Sequence, residues 1–258
     1  MSYQTQHFVA LLWVKIRLNL KAEADRLKLG YIWWLLEPVL HAAAFYFIFV
    51  YFLDLRTENF LAFLLSGLIP FNWFSRSVSN SMGSLRGAKG LLSNFRIHPM
   101  FFPLVHLGQD AIKQTVTFSF LLVFLLLYGI QPSLFWLLLP AAMILQAFLV
   151  VAVACCAAAI LPLLEDLKFL ITTLIMITMF ASGVFYNPAE VLPPELQPWF
   201  FMNPMASLLQ IYRDLLLYQT VPSVYHLSIV MLWALLFLGF ALLAMRRLRD
   251  HYAKLVLQ

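Results

Sequence analysis

The sequence has few charged residues. Asp, Glu, Lys and Arg together make up 11% of its 258 residues, whereas 63% are hydrophobic and the mean hydropathy is +0.85. A soluble domain of this length has no interior that could bury so much apolar surface, so an unusually apolar soluble protein is the disfavoured alternative. The composition indicates an integral membrane protein.

Cysteine is also scarce, which argues against a disulfide framework or a thiolate metal site. The two cysteines, Cys155 and Cys156, are adjacent and lie inside an apolar run. Adjacent cysteines rarely pair with each other, and this pair lacks the spacing of metal ligands. We expect both to be small packing residues on a helix, and we expect no metal.

A nucleotide-binding motif is missing as well. Gly83, Gly87, Lys89 and Gly90 loosely resemble a phosphate-binding loop. A Walker A motif requires a glycine directly before its lysine, but Ala88 stands there, and no strand precedes the segment. The chain is therefore expected to hold no cofactor and not to hydrolyse ATP by itself.

Long apolar stretches are abundant. A helix crosses the hydrocarbon core with about 20 apolar residues, and six stretches qualify. They are Gly30–Leu53, Phe60–Met82, Pro103–Tyr128, Ser133–Leu164, Leu167–Phe185 and Val224–Met245. No internal repeat and no soluble domain is visible. Residues 1–258 are therefore predicted to form one all-α, polytopic membrane domain with six transmembrane helices.

The cations indicate the topology. They concentrate in the N-terminal segment, in the loop 83–102 and in the C-terminal tail, whereas Asp54–Asn59 and Tyr186–Ser223 contain one arginine each. By the positive-inside rule, both termini and the loop 83–102 are predicted to be cytoplasmic. The net charge of +5 is then a topology signal, and nucleic-acid binding is disfavoured.

Residues 7–29 have an apolar face and a charged face at helical spacing. The apolar face consists of Ile16, Leu20, Ala24 and Leu27. The charged face consists of Arg17, Lys21, Asp25 and Lys28. This pattern predicts an amphipathic helix in the cytoplasmic interface, with its apolar side toward lipid and its basic side toward anionic head groups. The helix is either a topology anchor or one flank of an entrance for a lipid-borne substrate.

Glu37 and Pro38 lie one to two turns inside the first apolar stretch. An ionised carboxylate that faces lipid costs on the order of a few kcal/mol. We therefore expect Glu37 to meet a cation such as Arg26, Lys28 or one from the loop 83–102. Pro38 is expected to free backbone carbonyls there. The alternative is that Glu37 snorkels to the membrane surface.

Two connections are more than plain loops. In the loop 83–102, Leu91, Leu92, Phe95 and Ile97 predict a short amphipathic helix that docks into a groove on a cytoplasmic partner. The segment 186–223 contains six prolines and a cluster of aromatic residues, which predicts short interfacial or re-entrant helices. Its aromatic residues are either a membrane belt or a platform for saccharides.

Three segments together resemble the permeases of ABC-2 type exporters, most closely the subgroup for lipid-linked O antigen, capsule and teichoic acid. They read LGYIWWLLEPVL, GLIPFNWFSRSVSNSMGSL with the following FRIHPMFFPL, and EDLKFLITTLIMITMFASGVFYNPAEVLPPELQPWFFMNPMASLLQIYRDLLL. The resemblance covers most of residues 8–220, in order. Any one of these pieces alone would be a weak signal, whereas their combination is specific.

The resemblance implies a homodimer in the bacterial inner membrane that works with a separate cytoplasmic ABC ATPase dimer, which holds ATP and Mg²⁺. The loop 83–102 would be the coupling helix, through Arg86, Lys89, Leu91, Leu92, Phe95 and Arg96. Arg26, Lys28 and Glu37 would lie at the cytoplasmic entrance. The gate residues in the segment 186–223 and just before it would be Phe185, Tyr186, Trp199 and Phe200. The candidate channel aromatics are Tyr31, Trp33, Tyr46, Phe71 and Trp73.

Three alternatives remain open in the sequence. A secondary transporter would use buried ionisable groups, for which Asp110 and Lys113 are the candidates. An intramembrane enzyme would need a convergent catalytic or metal set, which His41, His98 and His106 do not offer by spacing. An exporter of the same type could carry a drug or a small lipid instead of a polysaccharide.

Overall fold

The computed structural model describes residues 3–26, 30–48, 59–88, 99–162, 164 and 166–247. These residues form helices and turns, and none of them lies in a strand. The α-helices are α1 (Tyr3–Arg26), α2 (Trp33–Tyr46), α3 (Phe60–Met82), α4 (Ser84–Gly87), α5 (Phe101–Leu127), α6 (Leu139–Ile160), α7 (Leu167–Phe180), α8 (Pro188–Val191), α9 (Gln197–Phe200), α10 (Pro204–Arg213) and α11 (Val224–Arg247). Short 3₁₀ helices at Gly30–Ile32 and Leu134–Leu138 precede α2 and α6, and a π-helical turn at Asp214–Tyr218 follows α10.

Three of the described helical segments are both long and apolar enough to cross a membrane. They are Phe101–Leu127, Leu134–Ile160 and Val224–Arg247. A fourth apolar helix, α7, has 14 residues. The expectation of an all-helical membrane protein is therefore confirmed for the part of the chain that the structure describes.

The helix α3 is the centre of the bundle. It contacts α2, α5, α6, α7 and α10, and most of its 23 residues are buried. The long helices α6 and α11 pack along each other through small side chains, among them Ala154, Cys155 and Ala234. Small residues let two helices approach closely, which is how helices associate where no hydrophobic effect drives them together. Cys155 and Cys156 are free and buried, as the sequence predicts.

The N-terminal helix α1 corrects one expectation. Ile16, Leu20 and Ala24 were expected to face lipid, but they are buried, and α1 packs on α5 and on the start of the loop 83–102. Gly108 permits the close approach, because a Cβ atom at this position would overlap the side chain of Ile16. The apolar stripe therefore contributes to packing within the bundle. A second apolar stripe is exposed instead, with Leu11, Val14 and Leu18 at its centre.

The segment 186–223 is broken into short helices, as its prolines predict. Pro188, Pro198 and Pro204 each stand in the first turn of a helix, where the missing N–H costs no hydrogen bond. Asn187 and Asn203 cap α8 and α10, since each side-chain oxygen accepts a hydrogen bond from a backbone N–H in the first turn. This sequence chemistry produces a compact cap over one end of the bundle.

Candidate transport site: a polar cluster and a gate cavity

Polar and charged side chains collect at the end of the bundle where α3 runs into the loop 83–102, which we call the loop end. Glu37 of α2 forms an ion pair with Arg76 of α3, and their Oε2 and Nη2 atoms are 2.8 Å apart. The Arg76 side chain is 25% exposed and that of Glu37 is 46% exposed. The pair therefore lies at the surface of the protomer and ties the first apolar stretch to the second.

Among the residues that the structure describes, the partner of Glu37 is Arg76, which the sequence did not predict. Arg26 lies exposed at the end of α1, and Lys28, Lys89 and Arg96 lie outside the described residues. The positions of the two residues do point to Arg76 as the partner of Glu37. Glu37 lies one turn after the start of α2, and Arg76 lies fewer than two turns before the end of α3. Antiparallel neighbours place such positions at the same depth, so two opposite charges inside apolar stretches are natural partners.

The rest of the cluster joins α1, α3 and α5. Both carboxylate oxygens of Asp110 accept hydrogen bonds from Asn80, at 3.1 and 3.2 Å. The Lys113 ammonium donates to both oxygens of Glu23 at 2.6 Å, and the Asn19 amide donates to Gln109 at 3.3 Å. Asp110 and Lys113, the candidates for a secondary transporter, therefore each have a different partner. Lys113 and Glu23 instead anchor α1 on α5.

Pro38 was expected to disturb the helix and to free backbone carbonyls, and the structure shows α2 running through it with one carbonyl freed. A proline at position 38 removes the hydrogen bond that the Trp34 carbonyl would otherwise accept. The Thr117 hydroxyl lies 3.3 Å from this carbonyl oxygen and 3.1 Å from the Lys113 carbonyl oxygen, so its one proton is shared between the two acceptors. The helix α2 therefore continues through Pro38 and gains a polar contact with α5.

The cluster encloses little space. A cavity of about 10 Å³ lies beside Arg76, Asp110 and Gln114, which is room for a single water molecule. Within the described part of the chain, the buried Gln114 amide nitrogen and the indole nitrogen of Trp73 have no hydrogen-bond partner. A substrate group does not fit inside the cluster, so any contact with substrate has to involve its exposed edge, at Glu37 and Arg76.

The opposite end, which we call the gate end, is organised around a buried arginine. Arg213 at the end of α10 is 1% exposed. Its Nη2 atom donates to the carbonyl oxygens of Gly183 at 2.7 Å and Val184 at 3.3 Å, and its guanidinium carbon lies 3.6 Å from the ring centroid of Phe63. Cation–π contact and charge-assisted hydrogen bonds offset part of the cost of burying this charge, and together they fix the turn after α7 onto α3. The Nε atom of Arg213 has no hydrogen-bond partner among the described residues.

Two glycines make this arrangement possible. A Cβ atom on Gly67 would stand 2.8 Å from Nη2 of Arg213, so a side chain there would displace the guanidinium group. Gly183 has a φ of +69°, a conformation that side chains disfavour, and a Cβ there would also crowd Pro188 and Phe200. The position of the tight turn at 181–186 therefore depends on Gly67 and Gly183 together.

A second buried link joins α10 to the centre of the bundle. The Tyr212 hydroxyl donates to Oε1 of Gln146 at 2.7 Å, and Nε2 of Gln146 donates to the Pro70 carbonyl at 2.7 Å. All three residues are buried. The segment 186–223 is therefore connected to α6 and α3 through hydrogen bonds in an apolar interior, where they are costly to break.

A cavity of about 430 Å³ opens at the gate end. Its aromatic wall consists of Phe60, Phe63, Phe185, Tyr186 and Tyr218, and its polar groups are Asn59, Asn187 and Glu190. Burial raises the pKa of the Tyr218 hydroxyl, so this group stays protonated and can donate a hydrogen bond. The volume is in the range of pockets that hold small organic ligands.

Comparison with known proteins identifies the relatives of this chain. It is 27% identical over 258 residues to an O-antigen export system permease protein RfbA of Klebsiella pneumoniae, a match that covers 99% of this chain and 98% of the relative. A protein of the same name in Myxococcus xanthus is 26% identical, covering 85% and 87%. The polysialic acid transport protein KpsM of Escherichia coli is 23% identical, covering 87% and 88%. The chain is a relative of polysaccharide-export permeases. No protein-family profile matches it.

The gate residues predicted from the permease resemblance lie close together. Phe185 is buried and Tyr186 lines the cavity, while the rings of Tyr186 and Phe200 are 6.2 Å apart. Trp199 points outward and is 72% exposed. Arg213 was not predicted as a functional residue, and the available signal was a lone cation in the apolar segment 186–223.

The predicted channel aromatics separate into two groups. Tyr31 and Trp33 are exposed and Tyr46 is half-buried, so all three are accessible from the surface of the protomer. Phe71 and Trp73 are buried within the protomer, at 1% and 6% exposure. A channel lining by these residues stays a prediction, and in this arrangement Tyr31, Trp33 and Tyr46 are the accessible candidates.

The loop 83–102 is described at its two ends. Arg86 belongs to the short helix α4, whereas Lys89, Leu91, Leu92, Phe95 and Arg96 lie outside the described residues. Leu85 and Ala88 are buried in a cluster with Ile16 and Leu20 of α1 and Phe102 of α5. Both ends of the loop therefore rest on the same apolar cluster as the N-terminal helix.

Proposed function

We propose that the chain is the membrane permease subunit of an ATP-driven exporter, which moves a lipid-linked polysaccharide from the cytoplasm across the bacterial inner membrane. The observation that carries this proposal is the match along nearly the whole chain to O-antigen export permeases and to polysialic acid transport proteins. Export of a drug or a small lipid is not favoured, because these relatives are named for polysaccharides.

The proposed topology has six membrane crossings. Three of them use the long apolar helices, and α2, α3 and α7 with their flanking residues supply the other three. An even number of crossings puts both termini on one side, and the cation distribution favours the cytoplasm. The loop end is then cytoplasmic and the gate end is extracytoplasmic.

The working unit in this proposal is a homodimer with an ATPase dimer below it. The dimer rests on the permease resemblance, and we assign its interface to α7, which packs mainly on α3 and exposes several large apolar side chains. The loop 83–102 would enter a groove on the ATPase. Since the loop shares an apolar cluster with α1 and α5, closure of the ATPase would move these helices together.

Within this unit, the chain provides a path and the partner provides the energy. The ion pair between Glu37 and Arg76 would shape the cytoplasmic entrance between α2 and α3. Glu37 itself repels an anionic lipid head group, so its proposed task is to orient Arg76. The cap formed by the segment 186–223 would close the extracytoplasmic exit until the ATPase drives it open.

The test is genetic and biochemical. Deletion of the gene in its own host should abolish the surface polysaccharide, with lipid-linked polysaccharide accumulating inside, and the intact chain should restore export. The chain should also co-purify with an ABC ATPase. Wild-type surface polysaccharide in the deletion strain would contradict the proposed function.

A further inference from the structure

The cavity at the gate end has the chemistry of a carbohydrate site. Sugar rings present C–H faces that pack on aromatic rings, and hydroxyl groups that need hydrogen-bond partners. The cavity offers both, since Tyr186 and Tyr218 combine an aromatic face with a polar tip, and Phe63 adds a third ring. A cavity suited to an acyl chain would instead have a wall without polar groups.

Three polar side chains line one part of the wall. Asn187 uses its amide oxygen to cap α8 and donates its N–H to Oε1 of Glu190 at 2.8 Å. These contacts hold the Glu190 carboxylate in place and leave acceptor capacity on it, because a carboxylate accepts about four hydrogen bonds. Asn59 faces the same cavity from the start of α3.

The cavity carries negative charge. Glu190 is the one charged group among the lining residues that the structure describes. Arg213 lies against the Phe63 ring with its Nη2 atom bonded to backbone carbonyls, and it acts on Tyr218 in the sense opposite to Glu190 and Asp214, but it does not line the cavity. An acidic sugar is therefore disfavoured here.

The aromatic wall is fixed from behind. Arg213 covers the Phe63 ring and holds the carbonyls of the two residues that precede Phe185. The Tyr186 hydroxyl donates to the Phe180 carbonyl at 3.1 Å. A wall with its rings held in this way loses little conformational freedom when a ligand binds.

We propose that this cavity is a saccharide subsite at the exit of the path, which takes one or two neutral sugar rings of the emerging polysaccharide and disfavours acidic ones. Tyr186 and Tyr218 supply ring faces, Glu190 and Asn59 accept or donate hydrogen bonds, and Arg213 is a positioning residue. This inference deepens the proposed function and depends on it for the identity of the cargo.

Binding can be measured on the full chain in lipid nanodiscs, without glycoside detergents, by saturation-transfer NMR. The probes are N,N′-diacetylchitobiose as the neutral disaccharide and α2,8-linked disialic acid as the acidic one. Chitobiose should bind in preference to disialic acid. Tyr218→Ala should weaken chitobiose binding by about two- to tenfold, the range for loss of one ring contact. The matched control is Tyr128→Ala, because Tyr128 is similarly exposed and lies outside the cavity.

Charge reversal provides the sharper test. Glu190→Lys should lower the preference for chitobiose and increase binding of disialic acid, whereas Glu190→Gln should weaken discrimination without reversing it. Equal binding of both probes by the wild-type chain would overturn the proposal, and so would an unchanged chitobiose signal in Tyr218→Ala. A co-purified lipid that is lost only in Tyr218→Ala would assign the cavity to an acyl chain and also overturn it.

Failure of the saccharide subsite can be distinguished from failure of the proposed function. Surface polysaccharide and ATPase co-purification report whether the chain is an export permease, whichever sugar binds at the gate end. If both are normal and neither probe binds, the subsite alone is refuted. If the host exports its polysaccharide without the chain, the proposed function is refuted irrespective of the binding result.

Discussion

The ion pair between Glu37 and Arg76 yields the most direct prediction. The perturbation is a set of four variants: Glu37→Gln, Arg76→Gln, the double Gln variant, and the exchange of the two residues. The charged atoms are 2.8 Å apart and partly exposed. Coulomb attraction at an effective dielectric constant of 20 is about 4 kcal/mol for unit charges 4 Å apart and larger at shorter distances, whereas fully exposed pairs contribute below about 1 kcal/mol.

The expected coupling energy lies between these limits, at about 2 kcal/mol. Each single Gln variant should lower the midpoint of thermal unfolding by about 5 °C in purified protein. The double Gln variant should cost little more than either single one, because the second change removes a charge that is already unpaired. Surface polysaccharide should fall in both single variants if the pair sets the entrance geometry.

The variant with the two residues exchanged distinguishes a role in the geometry of the entrance from direct contact with the substrate. If the pair acts through geometry, Glu37→Arg with Arg76→Glu should recover both the unfolding midpoint and export. Recovery of the midpoint without export would assign Arg76 a direct contact with the cargo. A coupling energy near zero, with wild-type export in both single variants, would refute the reasoning and show that Glu37 snorkels to the surface.

Four further predictions concern other parts of the chain. Lys89→Cys should stay unlabelled by an impermeant thiol reagent outside intact cells; labelling would contradict the topology. Phe95→Asp should reduce co-purification with the ATPase while membrane insertion stays normal, because it puts a charge into a desolvated contact; undiminished co-purification would exclude the loop as docking element. Gly67→Ala should displace Arg213 and lower the unfolding midpoint, in contrast to Gly239→Ala, where the added methyl group meets no atom; equal midpoints would refute the crowding argument. Tyr212→Phe should cost about 1–3 kcal/mol through the unpaired Gln146 oxygen, and an unchanged midpoint would mean that Gln146 finds another donor.

The sequence predicts the helices well but predicts their partners poorly. Apolar stretches and prolines locate the helices, since both act through the backbone and the local environment. The stripe of Ile16, Leu20 and Ala24 shows the limit, because an apolar face in a membrane protein is equally suited to lipid and to protein. Gly108 decides between the two, and it belongs to α5, far along the chain from the stripe that packs against it.

Charged partners are hard to predict for a related reason. Glu37 requires a cation, but the choice of Arg76 over Arg26 or Lys28 depends on which helices are neighbours and at what depth. For Arg213, the sequence offers Asp214 as the nearest carboxylate, but the structure pairs Asp214 with Gln210 instead. Backbone carbonyls of a tight turn and one aromatic ring replace a carboxylate, and such partners leave no pattern in the sequence.

The shared apolar cluster at the loop end has a mechanical consequence. Leu85 and Ala88 pack with Ile16, Leu20 and Phe102, so the start of the loop, the N-terminal helix and the start of α5 behave as one block. The ion pair of Glu23 with Lys113 fastens the same block from a second side. A force applied to the loop is then spread over the surface of the bundle that borders the membrane. In the proposed exporter, a tilt of this block would change the footprint of the protein in the lipid as well as the width of the path.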